Sequence, residues 1–295
     1  MCDENTVIDI ENYLARTPLS RRRFGALTGA AAIATLLAPP ANAVDVVESD
    51  VDVQTPDGTA DCYFVRPASG KHPGVIIWPD ALGLRPAFRA MGKRLAESGY
   101  GVLVVNQYYR GAKAPILPEG ASFQDSATQE KLGPLFQSIT AERTVSDATA
   151  FVAFLDSQDV INADRKIGVM GYCMGGPMTL RTAAAAPDRI GAGASFHGGG
   201  LVSDGEGSPH LLIPQTKASF LYAIAENDDQ RQPEAKDILR AAYADAGLDA
   251  EIEVYEGAMH GWCPPDSQVY HAAQAERAWA RLLVLFEKAL GPSAT

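Results

Sequence analysis

Histidine and cysteine are scarce in this chain, with five and four in 295 residues. The cysteines, Cys2, Cys62, Cys173 and Cys263, have neither the spacing of a disulfide framework nor that of a zinc site. Basic charge is also in deficit: 25 Lys and Arg against 36 Asp and Glu give a formal net charge of −11. Residues 1–43 hold four basic and four acidic side chains, so the whole deficit belongs to the remainder. An acidic chain without long Lys/Arg-rich runs excludes nucleic acid and anionic membrane as expected partners. The glycines Gly198-Gly199-Gly200 have no P-loop lysine, and no cluster of His and Asp has ligand spacing, so no metal and no cofactor is expected. The chain also has no apolar run long enough for a comfortable membrane span.

The longest such run, Gly25 to Ala38, follows Ser20-Arg21-Arg22-Arg23-Phe24 and precedes Pro39-Pro40 and Ala41-Asn42-Ala43. A twin arginine, a weakly apolar stretch and Ala-x-Ala together resemble a bacterial twin-arginine export signal. The expectation is a signal over residues 1–43, handled by the twin-arginine export machinery and cleaved before Val44. A periplasmic protein without stable membrane association would remain. Export after folding is compatible with a free thiol.

Residues 44–295 read as one domain. Val46 to Gln54 and Ala60 to Arg66 flank Pro56-Asp57-Gly58, which predicts a β-hairpin. Gly74 to Trp78 and Val102 to Asn106 are short, wholly apolar runs of the kind buried on both faces of a parallel sheet, with a helical pattern over Ala87 to Ser98 between them. Tyr108 to Thr140 loses periodicity, and a connection that long is expected to cover a site. Helices are expected at Arg143 to Leu155, Glu234 to Ala246 and Gln274 to Leu290. Strands are expected at Lys166 to Met170, Gly193 to Phe196, Ala218 to Ile224 and Ala250 to Tyr255.

The chemistry centres on Gly171-Tyr172-Cys173-Met174-Gly175-Gly176, between an apolar strand and an alanine-rich helix. Small residues two positions either side of Cys173 allow a sharp strand–helix turn with a nucleophile at its apex. The following helix offers free N–H groups and a positive dipole end to a thiolate or oxyanion. Polar side chains just past parallel strands meet at one sheet edge, which gathers Asp80, Cys173, Asp228 and His260. His260 is read as the base, alone among the histidines in following a late strand with glycines around it. Asp228 is preferred to Asp229 as the acid that orients it, though both remain open. The oxyanion donors are expected to be the N–H groups of Met174 and Ala81. The order nucleophile, acid, histidine predicts an α/β-hydrolase fold: a mostly parallel central sheet flanked by helices, with an N-terminal β-hairpin.

These residues resemble the dienelactone hydrolase family, a cysteine-nucleophile branch of that fold, over roughly Val46 to Leu290. The resemblance rests on the Cys173 turn, Asp228, Met259-His260-Gly261 and Trp78-Pro79-Asp80-Ala81-Leu82-Gly83-Leu84. It implies hydrolysis of a small-molecule carboxylic ester or lactone through a Cys173–His260–Asp228 triad and a thioester. It also puts Asp80, as an auxiliary carboxylate, where the family has a glutamate touching the resting thiol; Asp80 reads equally as a turn residue. Family members acting on anionic dienelactones hold the substrate carboxylate with arginines. Past His260 this chain reads Gly261-Trp262-Cys263-Pro264-Pro265-Asp266 instead, and neither Arg85 nor Arg110 lies on a matching motif. Trp262 and Tyr108 are expected to make an apolar pocket, or simply to pack. Two competing readings are a non-catalytic periplasmic ligand-binding protein on the same scaffold, and acyl transfer to an acceptor other than water.

Overall fold

The computed structural model describes residues 4–16, 33 and 36–291. The twin arginine and most of the apolar run behind it lie outside the described residues. Ahead of them is helix α1 (Glu4–Arg16), whose Asp9 carboxylate accepts from Asn227 Nδ2 at 2.9 Å and pairs with Arg231. No described helix is long and apolar enough to cross a membrane.

The opening hairpin is β1 (Val46–Thr55) paired antiparallel with β2 (Gly58–Pro67). Then come β3 (Gly74–Trp78), α2 (Pro86–Glu97), β4 (Gly101–Val104), α3 (Ser126–Gln137), α4 (Ala141–Asp156), β5 (Ile167–Tyr172), α5 (Gly175–Ala185) and β6 (Ile190–Phe196). A 3₁₀ turn over Pro209–Gln215 leads to β7 (Ser219–Ala225), α6 (Glu226–Arg231), α7 (Ala235–Ala246), β8 (Ala250–Tyr255) and α8 (Ala272–Leu290). The eight strands form one sheet in the order β1-β2-β4-β3-β5-β6-β7-β8. β2 joins β4 antiparallel, and every pairing from β4 to β8 is parallel. This is the α/β-hydrolase architecture with its leading hairpin.

The period-2 alternation of side chains divides the core into two layers. Ile76, Trp78 and Leu103 face α4 and α5 with Phe151, Leu155 and Leu180. Val75, Ile77, Val102 and Val104 face α2 and α8 with Phe88, Leu95, Leu282 and Phe286. Both faces are covered, so β3, β4 and β5 are buried at every residue. Their sequences are accordingly continuous apolar runs rather than alternating ones. Helix α3 falls in the stretch read as irregular, where Gly133-Pro134 interrupts its pattern.

The parallel arrangement places the carboxyl ends of β3, β5, β6, β7 and β8 along one edge. Between β5 and α5 the chain reverses so tightly that a Cβ on Gly171 would stand 2.1 Å from the Gly175 carbonyl oxygen. A Cβ on Gly176 would stand 2.6 Å from Gly198 Cα. Gly171→Ala must push strand and helix backbones apart. It is expected to lower stability by about 2 kcal/mol or more, or about 4–8 °C in Tm, measured by thermal unfolding.

Candidate active site

Cys173 occupies the apex of that reversal at φ 52°, in the left-handed region that side chains bearing a Cβ rarely adopt. Its N–H donates to Phe196 O at 3.1 Å, and its carbonyl accepts from Gly176 N at 3.0 Å. These bonds fasten the strained residue to the end of β6 and to the first turn of α5. Met174 is the N-cap of α5, where helix geometry leaves amide donors without intrahelical acceptors. Across from it, the loop after β3 carries Ala81, whose carbonyl accepts from Tyr108 Oη at 2.9 Å. The same hydroxyl lies 3.0 Å from Met174 Sδ, so Tyr108 ties together the two segments bearing the expected oxyanion donors.

Asp228 lies in α6, directly after β7, and His260 in the turn after β8. Asp228 Oδ2 is 2.7 Å from His260 Nδ1, and both side chains are largely buried. The turn is fixed by His260 N–H donating to Asn227 Oδ1 at 2.8 Å and by Glu226 N–H donating to Ala258 O at 2.9 Å. The neighbouring Asp229 points elsewhere and pairs with Lys236 at 2.6 Å. Between the two aspartates left open by the sequence, only Asp228 meets the imidazole. Burial by itself depresses the His260 pKa. The Asp228 charge, then Cys173 through its charge and a hydrogen bond, reverse this and raise it above the ordinary histidine value. Thiol, imidazole and carboxylate therefore form one connected group.

Above Cys173 opens a cavity of about 350 Å³, walled by the loops after β3, β4 and β8. Asp80, Ala81, Cys173 and His260 line it, and Leu117 to Gln124 of the long connection form one side. Ile10 and Ile33, from the segment ahead of the expected cleavage site, lie on its wall too. Trp262 and Tyr108 do not line it: both are completely buried, Trp262 stacked on Tyr255 at 4.9 Å and Tyr108 under the Ala81 loop. Their pocket reading is corrected to packing and positioning; large aromatic surface was the better buried. Arg110 is held by Asp57 and Asp147 and is not a wall residue. Arg85 is one, bound to Asp80 and Asp266. Burial raises the Asp80 carboxyl above its usual range, with the Arg85 charge acting against it.

His197 was missed. It follows β6 directly, so His260 is not the one histidine beyond a late strand. It is fully buried, adopts φ 39°, and packs its ring edge against His260 at 5.1 Å while lining the cavity. Neither ring nitrogen has a hydrogen-bond partner among the described residues. Burial, and then the adjacent His260, push its pKa well below the ordinary histidine value, which keeps it neutral. Cys173 and His197 are the two residues other than glycine with positive φ among those described. The Phe196-His197-Gly198 step at the strand end was the available signal.

A sequence model of the dienelactone hydrolase family matches residues 60–290. A chain from Methylorubrum extorquens, provisionally named carboxymethylenebutenolidase, is 26% identical over 93% of this chain and 94% of its own length. The carboxymethylenebutenolidase of Pseudomonas putida is 24% identical over 79% of this chain and 93% of its own. Among solved structures, a dienelactone hydrolase-like promiscuous phosphotriesterase from metagenomic libraries superposes with a TM-score of 0.69 at 22% identity. It covers 83% of this chain and 99% of its own. At that identity the likeness is one of fold.

Folding raises the His260 pKa, so its contribution to stability is complete below the unfolded value of about 6.5 and is lost as pH climbs through the folded value. The Tm gap between the chain and His260→Gln is expected to narrow from pH 6 to pH 9.5. The narrowing should be at least about 2–4 °C, the equivalent of roughly 1 kcal/mol. A gap independent of pH would mean that the imidazole is not held as a cation.

Proposed function

Since the chain belongs to the dienelactone hydrolase family, we propose that it hydrolyses a carboxylic ester or lactone through a thioester on Cys173. The observation that carries this reading is the 2.7 Å contact between Asp228 and His260, beside a thiol held at a strained strand–helix turn. His260 shares the proton of Cys173, and the sulfur attacks the substrate carbonyl. The N–H groups of Met174 and Ala81 stabilise the oxyanion as the carbonyl carbon becomes tetrahedral. His260 then gives its proton to the departing alkoxide, leaving the acyl group on sulfur. In a lactone this alcohol stays tethered to the acyl chain. Water loses a proton to His260 as it attacks the thioester, and the expelled thiolate recovers that proton. Asp228 holds the imidazole in the tautomer that presents Nε2 to the sulfur and stabilises its cation.

A ligand-binding protein built on the same scaffold would need neither this proton path nor the strained cysteine. With an activated aryl ester, Cys173→Ala and His260→Ala are each expected to lose at least about 10³-fold in kcat, because coupled groups fail together. Asp228→Asn should lose about 10³–10⁴-fold, while Asp229→Asn stays within a few-fold. Turnover that survives Cys173→Ala would remove the sulfur from the reaction.

We also propose that residues 1–43 direct export by the twin-arginine route, on the strength of Ser20-Arg21-Arg22-Arg23-Phe24 and Ala41-Asn42-Ala43. Replacing Arg21, Arg22 and Arg23 together by lysine is expected to leave the full-length chain in the cytoplasm of a bacterial host. The unmodified chain should be recovered from the periplasm starting at Val44. Equal periplasmic yield from both would rule the route out.

A further inference from the structure

We propose that the cavity above Cys173 selects substrates whose acyl part is uncharged and discriminates against those carrying a carboxylate, because the cation in its wall is already saturated. This rests on the hydrolase reading above. A guanidinium carries five N–H donors in a rigid planar fork. In Arg85 every one is engaged. Nε donates to Asp266 Oδ2 at 2.6 Å and Nη1 to Asp80 Oδ1 at 2.6 Å. Nη1 also donates to Gly83 O at 3.2 Å, and Nη2 to Asp80 Oδ2 and Asp266 Oδ1, both at 3.0 Å. Two aspartates thus grip one arginine, each through both oxygens, the strongest geometry available to this pair of groups.

Among the described lining residues, Arg85 is the only lysine or arginine. That one positive charge is already matched by two carboxylates, Asp80 and Asp266. An incoming carboxylate has two routes to Arg85, and both are unfavourable. It can displace Asp80 or Asp266, whose side chains are only 13% and 16% exposed, leaving a half-buried aspartate without its partner. Or it can remain unpaired against like charge in a site poorly screened by solvent. A neutral acyl group meets neither obstacle, and Leu82, Pro115, Leu117, Phe123 and Val269 offer it apolar surface. The wall thus favours a neutral ester or lactone over the carboxymethylene-bearing butenolides to which its relatives' names refer.

The test compares two activated esters of one acyl length, 4-nitrophenyl hydrogen glutarate and its methyl ester, on the full chain. The methyl ester is expected to have a kcat/KM at least tenfold higher. Asp266→Asn removes one of the two carboxylates that saturate Arg85 and weakens its grip on the guanidinium, and should shrink that ratio at least fivefold. The ratio is independent of the fraction of active protein, so partial misfolding of the variant leaves it readable. An anionic ester turned over as fast as the neutral one by the unmodified chain overturns the proposal, as does an unchanged ratio in Asp266→Asn. Failure to turn over either ester overturns the hydrolase reading as well. A preference for the anion overturns the specificity alone.

Discussion

The close approach of backbones between β5 and α5 governs everything built above the sheet. No side chain fits on Gly171 facing the Gly175 carbonyl, nor on Gly176 facing Gly198, so strand, helix and the end of β6 meet at near-contact distance. That proximity lets Cys173 donate to Phe196 O while its own carbonyl accepts from Gly176 N. A residue carrying a Cβ is thereby held at a positive φ that it would otherwise leave. The strain aims the sulfur out of the sheet edge beside the first turn of the helix. Loosening the contact would not merely cost stability. It would let the cysteine relax into the turn, away from His260.

Around the sulfur, charge is arranged in two separate groups. Asp228 raises the pKa of His260 against the effect of burial, and the imidazole reaches Cys173. Asp80, Arg85 and Asp266 form a second group, joined by bonds of 2.6 and 3.0 Å. Neutral His197 packs edge-on against His260 and carries no charge of its own into the site. The low dielectric that strengthens each pairing also makes breaking one expensive. The site is therefore stiff toward added charge and tolerant of added apolar volume.

The chain order of buried strands was legible because a parallel sheet covered on both faces demands continuous apolar runs, and β3, β4 and β5 supply them. Positions just past the parallel strands β5, β7 and β8 could be assigned to one edge from strand order alone, which gathered Cys173, Asp228 and His260. The parts that were not legible depend on partners distant in sequence. Arg85 and Asp266 are 181 residues apart, and nothing local to either announces the other. Trp262 and Tyr108 follow strands as pocket residues do, yet burial of their rings against Tyr255 and beneath Ala81 prevails. Helix α3 was hidden by Gly133-Pro134, a pair that argues against helix locally but is accommodated within this one.

Asp80 shows why turn residue and charged wall residue need not be alternatives. One of its oxygens accepts from Leu82 N–H at 2.9 Å, two residues on, as an aspartate does when it shapes a turn. The same oxygen, with its neighbour, binds Arg85 five residues on. Its carbonyl meanwhile receives Gly83 N–H and Gln107 Nε2. The loop presenting Ala81 to the cavity is thus folded around a single carboxylate. A glutamate, one methylene longer, would project its oxygens beyond the Leu82 amide and give up the two-residue turn. With aspartate, the group that folds the loop is the group that engages the arginine. Changing the wall's charge therefore also changes the loop that carries one of the proposed oxyanion donors, and selectivity and rate are coupled through this one side chain.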